Sequence, residues 1–105
     1  MMQVTQETRE GWRIVTVRGR VDSETADELE KSLRSAVEEE HRVAVDFSGV
    51  TYVSSAGLRA LLQGARAAEV ESSEFVICSL LPAVKRVFDM SGMQHIIKIQ
   101  GSMPC

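Results

Sequence analysis

Two adjacent hydroxyls, Ser54 and Ser55, stand where the apolar spacing of the chain changes period. Behind them Val43, Val45 and Phe47 alternate, as a strand with one buried face requires. Ahead of them Leu58, Leu61, Leu62 and Ala65 fall at i, i+3, i+4 and i+7, one face of a helix. A serine at that junction has two chemistries open to it. It can cap the new helix, its oxygen accepting from an orphan backbone N–H. It can also accept a phosphate, which the free N–H groups and the positive end of the helix dipole favour. Such a phosphate changes the surface charge without unfolding the domain.

Nothing else along the chain points to chemistry of its own. His41 and His95 are the only histidines, and neither is near Ser55 in sequence. There is no G-x-S-x-G nucleophile segment, no G-x-x-x-x-G-K-[ST] phosphate loop and no metal-ligand spacing. The reading is a binding module rather than an enzyme, with no catalytic residue, metal or cofactor.

The elements that must hold these serines follow from the same periodicities. Ser48-Gly49 punctuates the strand and predicts a short turn before the helix. Upstream, Met2 to Thr8 reads as a weak edge strand with Val4 as its main apolar residue. Trp12, Ile14, Val15 and Val17 form a second strand, closed by Gly19, and Trp12 reads as a lid on the core. A first helix follows Asp22-Ser23-Glu24-Thr25, and Thr25-x-x-Glu28 matches a capping box. Ala26, Leu29, Leu33, Ala36 and Val37 are its buried stripe. Asp27–Lys31 and Glu30–Arg34 are acid-first i,i+4 pairs. Glu38-Glu39-Glu40 reads as a solvated helix end.

The second helix runs to about Ala68. Besides its leucine face it carries a polar stripe, Arg59, Gln63 and Arg66, and a small-residue stripe, Ala60, Gly64 and Ala67. The small stripe suits close approach by another element, inside the domain or from a partner. Phe75 to Cys78 is an apolar run expected of a strand covered on both faces. Leu80-Leu81-Pro82 opens a third helix with Val84, Val87 and Phe88 buried, and Gly92 is its C-cap. Met90 and Met93 flank that end, as core filling or as an adaptable partner groove. Ile96, Ile97 and Ile99 make a last strand, and residues 101–105 a loose tail. The alternation predicts one α/β domain over residues 1–105, with a sheet of about four or five strands and helices mainly on one face.

The totals bound the setting. The chain has 105 residues, 44% of them hydrophobic, which suits one compact core. A net charge of −3 argues against generic nucleic-acid binding, which needs a basic footprint. No apolar stretch approaches the ~18 residues of a membrane helix, and the polar Met1 to Glu10 predicts no signal peptide. Cys78, in an apolar run, and the terminal Cys105 form no ligand cluster. The expected setting is a reducing cytoplasm with free thiols, Cys78 serving as a small core residue.

Asp46-Phe47-Ser48-Gly49-Val50 followed by Tyr52-Val53-Ser54-Ser55-Ala56-Gly57-Leu58 resembles the signature segment of STAS domains, the anti-sigma-factor antagonist family. Gly19-Arg20-Val21-Asp22-Ser23-Glu24-Thr25-Ala26 resembles the family's Gly-x-hydrophobic-Asp turn before its first helix. The order of elements also fits, so the resemblance spans nearly the whole chain. It implies mixed strand directions in the sheet. In bacterial antagonists the segment is usually Asp-Ser-Ser/Thr-Gly-Leu, and a partner kinase phosphorylates its first serine. Laid on this chain, that acceptor is Ser55, with Ser54 as the alternative. Ser54 replaces the family's Asp, and Ala56 its second hydroxyl.

The resemblance further implies a partner surface around the serine loop and the second helix: Asp22, Ser54, Ser55, Gly57, Arg59 and Gly64. It implies an anti-sigma factor with serine-kinase activity as partner and a serine phosphatase to reverse the mark. Direct nucleic-acid binding and membrane insertion are not expected. The resemblance also implies an alternative, since STAS subunits of lipid-transport ABC ATPases carry a similar hydroxyl-Ala-Gly-Leu segment: such a membrane-transporter subunit, or a stress-signalling scaffold.

Overall fold

The computed structural model describes residues 1–104. Its elements follow one another as β1 (Met2–Arg9), β2 (Trp12–Val21), α1 (Ala26–Glu39), β3 (Arg42–Val53), α2 (Ser55–Val70), β4 (Glu74–Cys78), α3 (Pro82–Ser91), a 3-10 turn (Met93–His95) and β5 (Lys98–Gln100). The five strands form one sheet in sequence order. β1 runs antiparallel to β2, and β2 to β5 are mutually parallel. The sheet is therefore mixed, as expected. Each parallel crossover steps to the next strand in the same direction across the sheet. Right-handed crossovers taken in one direction put their helices on one face.

That face holds the main core. Val15, Val17, Val43, Val45, Phe47 and Ile77 pack with Leu29 and Leu33 of α1, Leu61 of α2 and Phe88 of α3. The α1 stripe is buried as its spacing predicts, with Ala26, Leu29, Leu33, Ala36 and Val37 all inward. Leu29 and Leu33 are fully buried, worth about 2 kcal/mol each. The other face carries a smaller cluster of Trp12, Ile14, Ala44, Val76 and Cys78, which no helix covers. Met103 packs there, and the Arg42 guanidinium lies 4.8 Å from the centre of the Trp12 ring. Cys105 lies outside the described residues.

Several local expectations are corrected. Ser48-Gly49 does not end β3, which runs on to Val53. Nor does Gly19 close β2, which continues to Val21. Pairing of β2 with β3 shifts register between Thr16 and Arg18 and again between Gly19 and Arg20. Two extra residues on β3 are absorbed as bulges. Phe47, Val50 and Val53 are accordingly buried at every third position, with Ser48, Thr51 and Tyr52 outside. The broken alternation that reads as a turn is a bulged strand. Gly19 permits this path: it sits at φ +96°, and a Cβ there would lie 2.3 Å from the Met1 carbonyl oxygen.

The Thr25 capping box does not form. The Thr25 hydroxyl faces backward, accepting from the Asp22 N–H at 3.0 Å, and makes no cap bond to α1. Glu39 and Glu40 are not simply solvated: they pair with Arg13 of β2 at 2.8 and 3.5 Å, fastening the helix end to the sheet. Glu30–Arg34 forms at 3.0 Å. The last strand is shorter than expected, because Ile96 follows the 3-10 turn and is exposed. Met90 is exposed and Met93 is buried.

Candidate functional site

The site lies where parallel strands β2 and β3 end, the edge at which α/β sheets present their loops. Val21 and Val53 close those strands with buried side chains. The Ser54 N–H donates to the Val21 carbonyl at 2.9 Å, so the loop entering α2 is tied to the loop entering α1. Asp22 follows Val21 directly. Its Oδ1 accepts the Glu24 N–H at 3.0 Å and its own N–H donates to Thr25 Oγ1 at 3.0 Å, which holds that loop in a fixed turn.

The two serines differ in their surroundings. Ser54 is the N-cap of α2, in extended backbone, and its Oγ accepts the Gly57 N–H at 3.3 Å. Its carbonyl takes the first helical bond, from the Leu58 N–H at 2.9 Å. Ser55 is the first helical residue and is exposed. Its hydroxyl makes no hydrogen bond among the described residues. No acidic residue occupies the first turn of α2. The first-turn N–H groups of Ser55 and Ala56 have no intrahelical acceptor, so the surroundings of the Ser55 hydroxyl favour an anion.

The other expected site residues separate. Arg59 is exposed one turn after Ser55, on the same helix face and so ~5–6 Å away between Cβ atoms. It forms no ion pair among the described residues. Gly57 is buried beneath the loop: a Cβ there would lie 2.8 Å from Val21 Cγ1 and Val53 Cγ2, and 3.0 Å from the Val21 carbonyl. The bare Cα lets α2 sit down on the strand ends. Gly64 lies deeper in the domain. It is buried two turns further along, where a Cβ would meet Leu33 Cδ1 at 2.7 Å. Ala60 of the small-residue stripe is buried with Gly64, while Ala67 is half-buried and Ala68 is buried in its place, so this side of α2 packs inside the domain, with Gly64 against Leu33 of α1. Of the residues expected at the site, Ser55 and Arg59 are exposed and Asp22 and Ser54 half-buried.

One neighbouring pair was not foreseen. Arg20, near the end of β2, lays its guanidinium 4.2 Å from the centre of the Tyr52 ring, and Tyr52 is 42% exposed. The three-residue spacing of Phe47, Val50 and Val53 was the signal that could have placed Tyr52 outside the core.

The comparisons with known proteins agree with this architecture. The family model of the STAS domain matches residues 3–103. A protein of Bordetella bronchiseptica named "Putative anti-sigma factor antagonist BtrV" is 36% identical over 102 residues, covering 96% of this chain and 88% of its own. The "Anti-sigma F factor antagonist" of Paenibacillus polymyxa is 27% identical, covering 93% of this chain and 86% of its own. The crystal structure of an anti-sigma factor antagonist from Mycobacterium paratuberculosis superposes with a TM-score of 0.85 at 24% identity, over 98% of this chain and 88% of its own. That last likeness is one of fold.

Proposed function

The chain belongs to the STAS domain family, and from that premise we propose that it is an anti-sigma-factor antagonist switched by phosphorylation of Ser55. Unphosphorylated, it binds an anti-sigma factor that is also its serine kinase, and so frees a sigma factor. Phosphorylated, it lets go, and a serine phosphatase resets it. The chemistry is performed on this chain by another protein, so it acts as a binding module in the cytoplasm. No helix of the described residues is long and apolar enough to cross a membrane.

One observation carries the choice of acceptor. Ser54 uses its oxygen as the helix cap, whereas Ser55 is exposed with its hydroxyl unengaged among the described residues. A phosphate brings a charge of about −1.5 to −2 and three acceptor oxygens. The start of α2 can hold it, and Arg59 is placed to pair with it. The fold then survives while the docked partner does not, since a desolvated or like-charge contact costs several kcal/mol. About 3 kcal/mol weakens binding more than a hundredfold. The names of the curated relatives favour this reading over a transporter subunit.

The test is titration against the anti-sigma factors of the same genome that carry serine-kinase activity. Ser55→Ala is expected to bind as the unmodified chain does and to take no phosphate there. Ser55→Asp is expected to bind weakly, although one carboxylate imitates a phosphate imperfectly. Equal binding by Ser55→Ala and Ser55→Asp would count against the switch.

A further inference from the structure

We propose that the bulged end of β3 carries a second half of the partner surface, anchored by Tyr52 with Arg20 and Arg18, which receives a carboxylate-bearing patch of the anti-sigma factor. This rests on the antagonist reading above and names the partner chemistry that the serine loop alone does not. The bulges are the starting point. They swing Thr51 and Tyr52 out of the strand between buried Val50 and Val53, three residues before Ser55. Bulges near functional sites commonly serve to re-aim side chains. Here the result is an exposed tyrosine, 42% accessible, next to the serine loop.

The surroundings of Tyr52 are built rather than incidental. Arg20 stacks on its ring at 4.2 Å. The Arg20 backbone is held on both sides, its N–H donating to the Met1 carbonyl at 3.1 Å and its carbonyl accepting the Thr25 hydroxyl at 3.2 Å. Thr25 in turn holds Asp22, so the stack and the Ser54–Ser55 loop share one framework. Arg18 is exposed and lays its stem over Gly49, where a Cβ would come within 2.9 Å of Arg18 Cγ.

The charge is unbalanced locally. Among the described residues neither Arg18 nor Arg20 makes an ion pair, and Arg59 beyond Ser55 makes none either. The chain as a whole is acidic, at −3. Asp46 Oδ1 accepts the Ser48 N–H at 2.9 Å and Asp22 Oδ1 the Glu24 N–H at 3.0 Å, and among the described residues neither pairs with Arg18 or Arg20. Unpaired arginines around an exposed tyrosine are the composition of an interface centre. They fit a partner that brings acidic side chains to the guanidinium groups and an apolar side chain to the free edge of the ring.

The experiment begins with each kinase-type anti-sigma factor of the same genome, purified and titrated calorimetrically with the unmodified chain. The one that binds is then titrated with Tyr52→Ala and with Arg18→Glu/Arg20→Glu. Each variant is expected to bind about thirtyfold more weakly or worse. Both should melt within about 2 °C of the parent, as surface changes do. The parent affinity should fall with added salt, and the double variant should lose most of that dependence. Affinities within about twofold of the parent, with an unchanged salt response, would overturn this inference and leave the antagonist reading standing. Failure of every anti-sigma factor to bind the parent would overturn both.

Discussion

Alanine at position 64 measures how closely α1 and α2 are seated. In an exposed helix, Gly→Ala stabilises by about 1 kcal/mol. Here the new Cβ would lie 2.7 Å from Leu33 Cδ1 and 3.0 Å from Leu33 Cβ. A rotamer change can move Cδ1, but Cβ is fixed to the α1 backbone. The helices must then separate by a few tenths of an ångström around Leu33, which is fully buried. Overpacking of this kind costs about 1–3 kcal/mol, so the net is a loss of about 1 kcal/mol. With 105 residues the unfolding entropy is ~0.2 kcal/mol/K, which converts that loss into a fall in Tm of ~4–5 °C. Thermal and urea unfolding read it directly. The cause is checked in a Leu33→Ala background, where Cδ1 and Cγ are gone and only Cβ remains at 3.0 Å, so Gly64→Ala should cost clearly less there than in the parent. A rise of ~4–5 °C in the parent background would refute the reasoning, since it would mean that Leu33 gives way at no cost.

Two other substitutions follow from the site. Ser54→Ala removes the cap and should cost about 1 kcal/mol in urea unfolding, while Ser55→Ala should stay within about 0.5 kcal/mol of the parent. The reverse order would exchange the roles of the two serines. Gly57→Ala should destabilise more than Gly64→Ala, by about 2–3 kcal/mol, because one obstructing atom is the Val21 backbone oxygen and cannot rotate aside. A Tm equal to that of Gly64→Ala would contradict this.

Much of the fold was legible because periodicity reports burial. The stripe Ala26, Leu29, Leu33, Ala36 and Val37 is buried residue for residue, and the run Val76 to Cys78 is buried on both faces of the sheet. Gly92 ends α3 at φ +77°, as a glycine C-cap does. The β3 extension was not legible as a turn-free strand, since a bulge destroys the alternation by which strands are recognised. Gly64 marks a second limit. A small-residue stripe shows that something approaches closely, and only tertiary structure shows that α1 is what approaches. At the serines, spacing left capping and modification open to both, and one hydrogen bond, Gly57 N–H to Ser54 Oγ, identifies Ser54 as the cap. Arg20 and Tyr52 lie far apart in sequence, so their stacking had no local signal.

The central claim is tested most directly by phosphate mapping. The purified chain is incubated with ATP and the kinase-type anti-sigma factor that binds it, then digested and mapped by mass spectrometry while complex formation is followed. The account predicts phosphate on Ser55, an unchanged fold and loss of the complex in step with modification. Phosphate confined to Ser54, or a complex that persists with Ser55 fully phosphorylated, would contradict it.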